Sequence, residues 1–134
     1  IIDNPILKTK KDGLTYNILY LYSQTRDIAV VDNKISPNES VYILLEGLNG
    51  FTTDEEGKVD LKASISLTDA NGIVINKKDD LFTEPVSAKD LKEQLYASLA
   101  VTEGQVSNPV TCLLQIKDKK SGNTLDVSVD LTVE

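Results

Sequence analysis

The feature that most constrains this chain is the alternation of apolar and polar residues at its C-terminal end. Leu125, Val127, Val129, Leu131 and Val133 are apolar, and Asp126, Ser128, Asp130, Thr132 and Glu134 stand between them. A strand sends successive side chains to opposite faces, so this segment predicts one buried face and one wet face. A helix would scatter the same residues around its circumference. The pattern returns at Val59, Leu61, Ala63, Ile65 and Leu67, and at Val110, Cys112, Leu114 and Ile116. In the latter, Leu113 intrudes on the polar side and predicts a central strand covered on both faces. Val41-Tyr42-Ile43-Leu44-Leu45 barely alternates and predicts a strand in the middle of a sheet. Near the start, Leu14, Tyr16, Ile18, Tyr20 and Tyr22 share one period-two face. Ile28–Val31 is a shorter candidate, followed by Ile35.

Turn chemistry separates these runs. Residues 53–58 (TDEEGK) precede the strand from Val59, and Asp69-Ala70-Asn71-Gly72 follows it. Asn-Gly tolerates the positive φ of a tight hairpin. Residues 118–123 (DKKSGN) separate the last two strands. One segment departs from the pattern. Ser87 is placed to cap a helix with Asp90 in its first turn, and Ala88, Leu91 and Leu95 share a helical face. This predicts a short helix over 88–96, with strand alternation resuming at Leu95, Ala97, Leu99 and Val101. Residues 1–12 read as an N-terminal tail or an edge strand, and 13–134 as one domain. Short strands at regular spacing with one short helix in a crossover predict an all-β, antiparallel sandwich. A closed barrel is the alternative. An α/β fold would need more and longer helices.

Composition removes whole classes of chemistry. The 134 residues include no His, no Met, no Trp and one Cys. There is no imidazole base for a Ser-His-Asp or Cys-His apparatus. The chain cannot assemble a Cys/His zinc site or an internal disulfide. A net charge of −7 disfavours nucleic acid, because it repels phosphate. No apolar run approaches the length of a membrane span. Carboxylate pairs remain as catalytic candidates, but nearly all the acids fall on turns or outward strand positions, so no catalytic residue is assigned and a non-enzymatic role is expected. No cofactor is expected.

Residues 35–134 resemble immunoglobulin-like β-sandwich domains of unassigned activity in exported proteins and lipoproteins of gut bacteria. The resemblance is carried by residues 35–41 (ISPNESV), Leu48-Asn49-Gly50-Phe51, the Asp69–Gly72 hairpin, residues 86–91 (VSAKDL) and residues 117–122 (KDKKSG). It lacks the paired cysteines and core Trp of antibody-type domains. It implies a sandwich in an extracytoplasmic setting, periplasm or cell surface, and no catalytic residues. The start at Ile1-Ile2-Asp3-Asn4-Pro5 predicts a processed mature form. It also suggests a secreted origin or a lipid anchor upstream of Ile1, the alternative being a boundary within a larger protein.

Four candidate sites follow. Tyr16, Tyr20 and Tyr22 form a stripe that would stack on sugar rings if exposed, or pack on the core if buried. The acidic turns at Asp54, Glu55, Glu56 and Asp60, and at Asp69 and Asn71, echo calcium loops but supply no complete ligand set, so no metal site is assigned. Cys112 lies at an inward position, where a thiol behaves as a small hydrophobe. Phe51, Phe82 and Val106 lie in the loops 49–58, 76–87 and 103–109, as loop contacts or as caps on the core ends. The expected function is a structural or interaction module of an exported envelope protein, meeting a protein or glycan through its loops. The alternative is a carbohydrate-binding module using the tyrosine stripe.

Overall fold

The chain forms two packed β-sheets in a computed structural model that describes residues 2–3, 6–101 and 106–134, with the backbone alone at 2, 3 and 99. The strands are β1 (Ile2–Asp3), β2 (Lys8–Asp12), β3 (Ile18–Ser23), β4 (Ile28–Ala29), β5 (Lys34–Ile35), β6 (Val41–Glu46), β7 (Lys58–Val59), β8 (Leu61–Thr68), β9 (Val74–Lys78), β10 (Val86–Ser87), β11 (Leu95–Leu99), β12 (Val110–Asp118) and β13 (Thr124–Val133). One helix, α1 (Ala88–Glu93), lies between β10 and β11. The first sheet runs β1-β3-β6-β11, with β4 on β3. The second runs β2-β13-β12-β8-β9, with β5 on β13. β7 and β10 form a small antiparallel pair of their own. Among the described residues the pairing is antiparallel apart from the two-residue contacts β1–β3 and β5–β13 and a single Gly13–Thr124 bridge. The helix sits in the crossover that returns the chain from the second sheet to the first.

Alternation decides the core. Val127, Val129 and Leu131 of β13 are 0%, 1% and 3% exposed, and face the aliphatic layer that Leu61, Ala63, Ile65, Leu67, Leu114 and Ile116 share with Leu19, Leu21, Ile43 and Leu45 of the other sheet. The outward positions of β12 are not covered as the sequence predicted: Leu113 is only half-buried, although its strand is central. Residues 8–12 of the N-terminal segment form an exposed edge strand on β13. Three of its five side chains are lysines, which blunt an edge against further pairing.

The helix is shorter than its spacing predicted and ends at Glu93. Gln94 is already extended (φ −164°, ψ 136°), because Leu95 and Ala97 find their burial by strand alternation on β6. Ser87 occupies the N-cap position, but its side chain makes no capping hydrogen bond.

One irregularity matters for function. In β3 and the segment before it, the buried residues are Leu14 and Tyr16, then Leu19, Leu21 and Ser23. The step from Tyr16 to Leu19 is three residues, not two. Opposite, Leu45 and Leu48 are both buried and are also three apart. Pairing carries through unchanged, from Ile18–Glu46 to Thr15–Asn49. Both strands therefore kink together at Asn17 and Gly47 and exchange their faces. Gly47 permits this with φ +75°, and a Cβ there would sit 2.4 Å from Nδ2 of Asn17.

Among the described residues, the carboxylates of Glu39 and Asp118 are buried at turns. Glu39, 3% exposed, accepts from Oγ of Ser23 (2.5 Å), Nε of Arg26 (2.6 Å) and the Ser36 amide (2.8 Å). Burial acts to raise its pKa, but these three donors outweigh burial and hold it below the ordinary range. Asp118, fully buried, accepts from the Thr52 amide (2.8 Å) and from Oγ of Ser121 (2.6 Å), tying the 50s loop to the β12–β13 turn. Its pKa is likewise lowered, against burial, by hydrogen bonds from Ser121, Thr52 and Lys120. A carboxyl whose folded pKa is depressed stabilises the fold above its unfolded pKa, about 4 for these groups, and loses that contribution as pH falls through the folded value. Urea unfolding should therefore show stability declining below about pH 4. Glu39→Gln should cost about 2 kcal/mol at neutral pH and make the decline shallower.

Candidate functional site

The paired kink sorts the tyrosines. Before it, Tyr16 is turned into the core and is 2% exposed, with the Lys11 ammonium 4.5 Å over its ring. After it, Tyr20 and Tyr22 stand on the outer face of the first sheet. The three do not share a face as the sequence predicted. Even spacing alone does not show the slip at Asn17. Two tyrosines from other strands join the outer pair. Leu44 of β6 lies between Tyr20 of β3 and Tyr96 of β11, and Tyr42 lies between Tyr22 and Ser98. Four of the chain's five tyrosines thus meet on one sheet face.

This face is a shallow depression of about 320 Å³, lined by Tyr20, Tyr22, Tyr42, Leu44, Gln94 and Tyr96. Leu44 is its floor. It points outward but is only 7% exposed, since a ring flanks it on each neighbouring strand. The Tyr42 and Tyr96 rings meet edge-to-face, with centroids 5.8 Å apart and planes at 81°. That geometry suits the ring quadrupoles and fixes both rings. Tyr96 is 61% exposed. The Tyr42 hydroxyl donates to Oε1 of Gln24 (2.7 Å), and the Tyr22 hydroxyl donates to Asp27. The hydrogen bond to Asp27 raises the Tyr22 pKa. The Tyr20 and Tyr96 hydroxyls and the Gln94 side-chain amide make no side-chain hydrogen bond with the described residues.

A second depression of about 390 Å³ adjoins the first and shares Gln94 and Tyr96 with it. Its other walls include Leu81, Phe82, Val86, Ser87, Asp90 and Leu91. Phe82 is partly buried and packs on the core, as does Phe51, whose ring also lies 5.8 Å from the Lys92 ammonium. Both act as caps on the core, and of the two only Phe82 lines either depression. Val106 packs on the core likewise, while 103–105 of its loop lie outside the described residues.

The acidic turns have internal work. Oδ1 of Asp54 accepts from the Glu56 and Lys58 amides, and Oδ1 of Asp69 from the Asn71 and Ile73 amides. Among the described residues no three His, Cys, Asp or Glu side chains gather in a metal-binding group. No described helix is long and apolar enough to cross a membrane.

No protein-family model matches the chain, and no curated protein does. Among solved structures, the crystal structure of the C-terminal domain of wzt is similar, with a TM-score of 0.58 and 14% identity. The match covers 97% of this chain and 79% of that one. It shows a shared β fold.

Cys112 is 5% exposed, and burial pushes its thiol up to about 12. The thiolate needed for reaction is therefore scarce at neutral pH. A disulfide-exchange reagent should leave the native chain unmodified and react fully once it is unfolded in urea, as read by absorbance of the released thiol.

Proposed function

We propose that this chain is a non-enzymatic interaction module that holds a saccharide against the tyrosine face of its first sheet. One observation carries the reading: four tyrosines from three strands converge on an open, shallow depression, with Leu44 as floor and, at the rim, the Tyr20 and Tyr96 hydroxyls, which make no side-chain hydrogen bond with the described residues. Sugar rings present an apolar C–H face and a polar edge. A tyrosine offers the matching pair, an apolar ring and a hydroxyl tip. The volume is at the small end of the range for ligand sites, which suits a few sugar units on an open surface rather than an enclosed substrate. The chain has no His and its one Cys is buried, which favours binding over catalysis.

This reading places contact on a rigid sheet rather than on loops. Phe51 and Phe82 favour that choice, since both are committed in part to the core. The proposal includes a place at the cell envelope, periplasmic or surface-exposed. Its support is the resemblance of residues 35–134 to exported sandwich domains, and a glycan partner is the kind of ligand available there.

A glycan array should give specific signals. Titration calorimetry with the responding glycans should show Tyr20→Ala and Tyr96→Ala each weakening binding about tenfold, or ~1.4 kcal/mol. Tyr16→Phe, altered only inside the core, should bind as the unaltered chain does. A silent array, or binding indifferent to both alanine variants, contradicts the proposal.

A further inference from the structure

The two depressions form one track. Tyr96 is a wall of both, and Gln94 lines both at the junction where α1 ends and β11 begins. From the tyrosine face the track passes over the free edge of the first sheet, then runs between α1 and the segment carrying Leu81, Phe82 and Val86. Its composition changes along the way. The first part is aromatic, while the second adds polar groups at Ser87 and Asp90 beside the Phe82 ring.

Charge along the track is one-sided. Neither depression is lined by a lysine or an arginine. Asp27 sits at the Tyr22 hydroxyl at one end and Asp90 lines the other. Glu46 follows Tyr42 and Leu44 on the same face of β6, opposite Ile18. Two nearby cations lie outside the lining and are engaged by the protein itself. The Lys78 ammonium donates to the Ser98 carbonyl oxygen (3.0 Å), and that of Lys92 lies toward the Phe51 ring. An anionic ligand would meet carboxylates with no cation in the lining to offset them.

Resting on the saccharide reading above, we infer that the ligand class is an uncharged linear oligosaccharide longer than a disaccharide. Its first units lie on the tyrosine face, and its continuation passes Gln94 into the Phe82–Asp90 depression. The Gln94 amide offers both donors and an acceptor to sugar hydroxyls at the crossing. The Asp90 carboxylate accepts from hydroxyls beyond it.

The test is titration calorimetry of the intact chain with neutral gluco-, manno-, xylo- and galacto-oligosaccharides, from di- to hexasaccharide, and with oligogalacturonates of matched length. A neutral series should tighten about tenfold from di- to hexasaccharide. Asp90→Trp, which fills the second depression from an exposed helix position, should abolish that gain. Lys89→Trp, next to it but outside the lining, should keep the gain. Oligogalacturonates should bind about tenfold more weakly than neutral chains. Disaccharide binding as tight as hexasaccharide, an unaffected length series in Asp90→Trp, or preference for galacturonates would overturn this inference and leave the saccharide reading standing. Silence from every probe would overturn both.

Discussion

The structure's candidate site depends on a constraint of strand geometry: side chains alternate faces, and a single-residue change of phase exchanges them. At Asn17 and Gly47 two paired strands make that change together without losing register. Gly47 makes it feasible, because its φ of +75° is costly for a residue with a Cβ. Below the kink, Leu14, Tyr16 and Leu48 close one end of the core. Above it, Leu19, Leu21 and Ile43 take over the interior, and the tyrosines of β3 are released to the surface. Without the phase change, the apolar and aromatic sets would compete for the same side of the sheet.

The stability that holds the platform in place comes from elsewhere. Two aliphatic sheet faces supply the core, and the buried carboxylates of Glu39 and Asp118 fasten turns at its margins. The tyrosine face carries little of that burden. Of the residues lining it, Leu44 is buried, and Tyr96 is 61% exposed. An exposed aromatic surface of this kind is what a binding module needs. It is also a surface that folding alone would not favour leaving open.

Much of the fold was legible in the chain. The alternation of β13, β12 and β8 gave their buried faces directly, and Asp69-Ala70-Asn71-Gly72 marked the β8–β9 hairpin. The site was legible only in part. Tyr20 and Tyr22 were visible as a stripe, but Tyr16 was counted with them because Ile18 continues the even spacing across the kink. The missing signal lay on the partner strand, where Leu45 and Leu48 are three apart around a glycine. Tyr42 was hidden in an apolar run that shows no alternation. Tyr96 fell at the end of the segment read as helix, so its place on β11 depended on where that helix stopped. Cross-strand neighbours are set by sheet order, and local periodicity does not contain sheet order.

The most direct test of the account is the solvent accessibility of the tyrosine rings, resolved residue by residue by photochemically induced nuclear polarisation in the native chain. Tyr96 and Tyr20, which stand on the outer face of the first sheet, should polarise strongly, while Tyr16 stays silent. A polarised Tyr16, or silence at Tyr20 and Tyr96, would mean that the strands do not exchange faces at Asn17 and Gly47, and the platform would not exist.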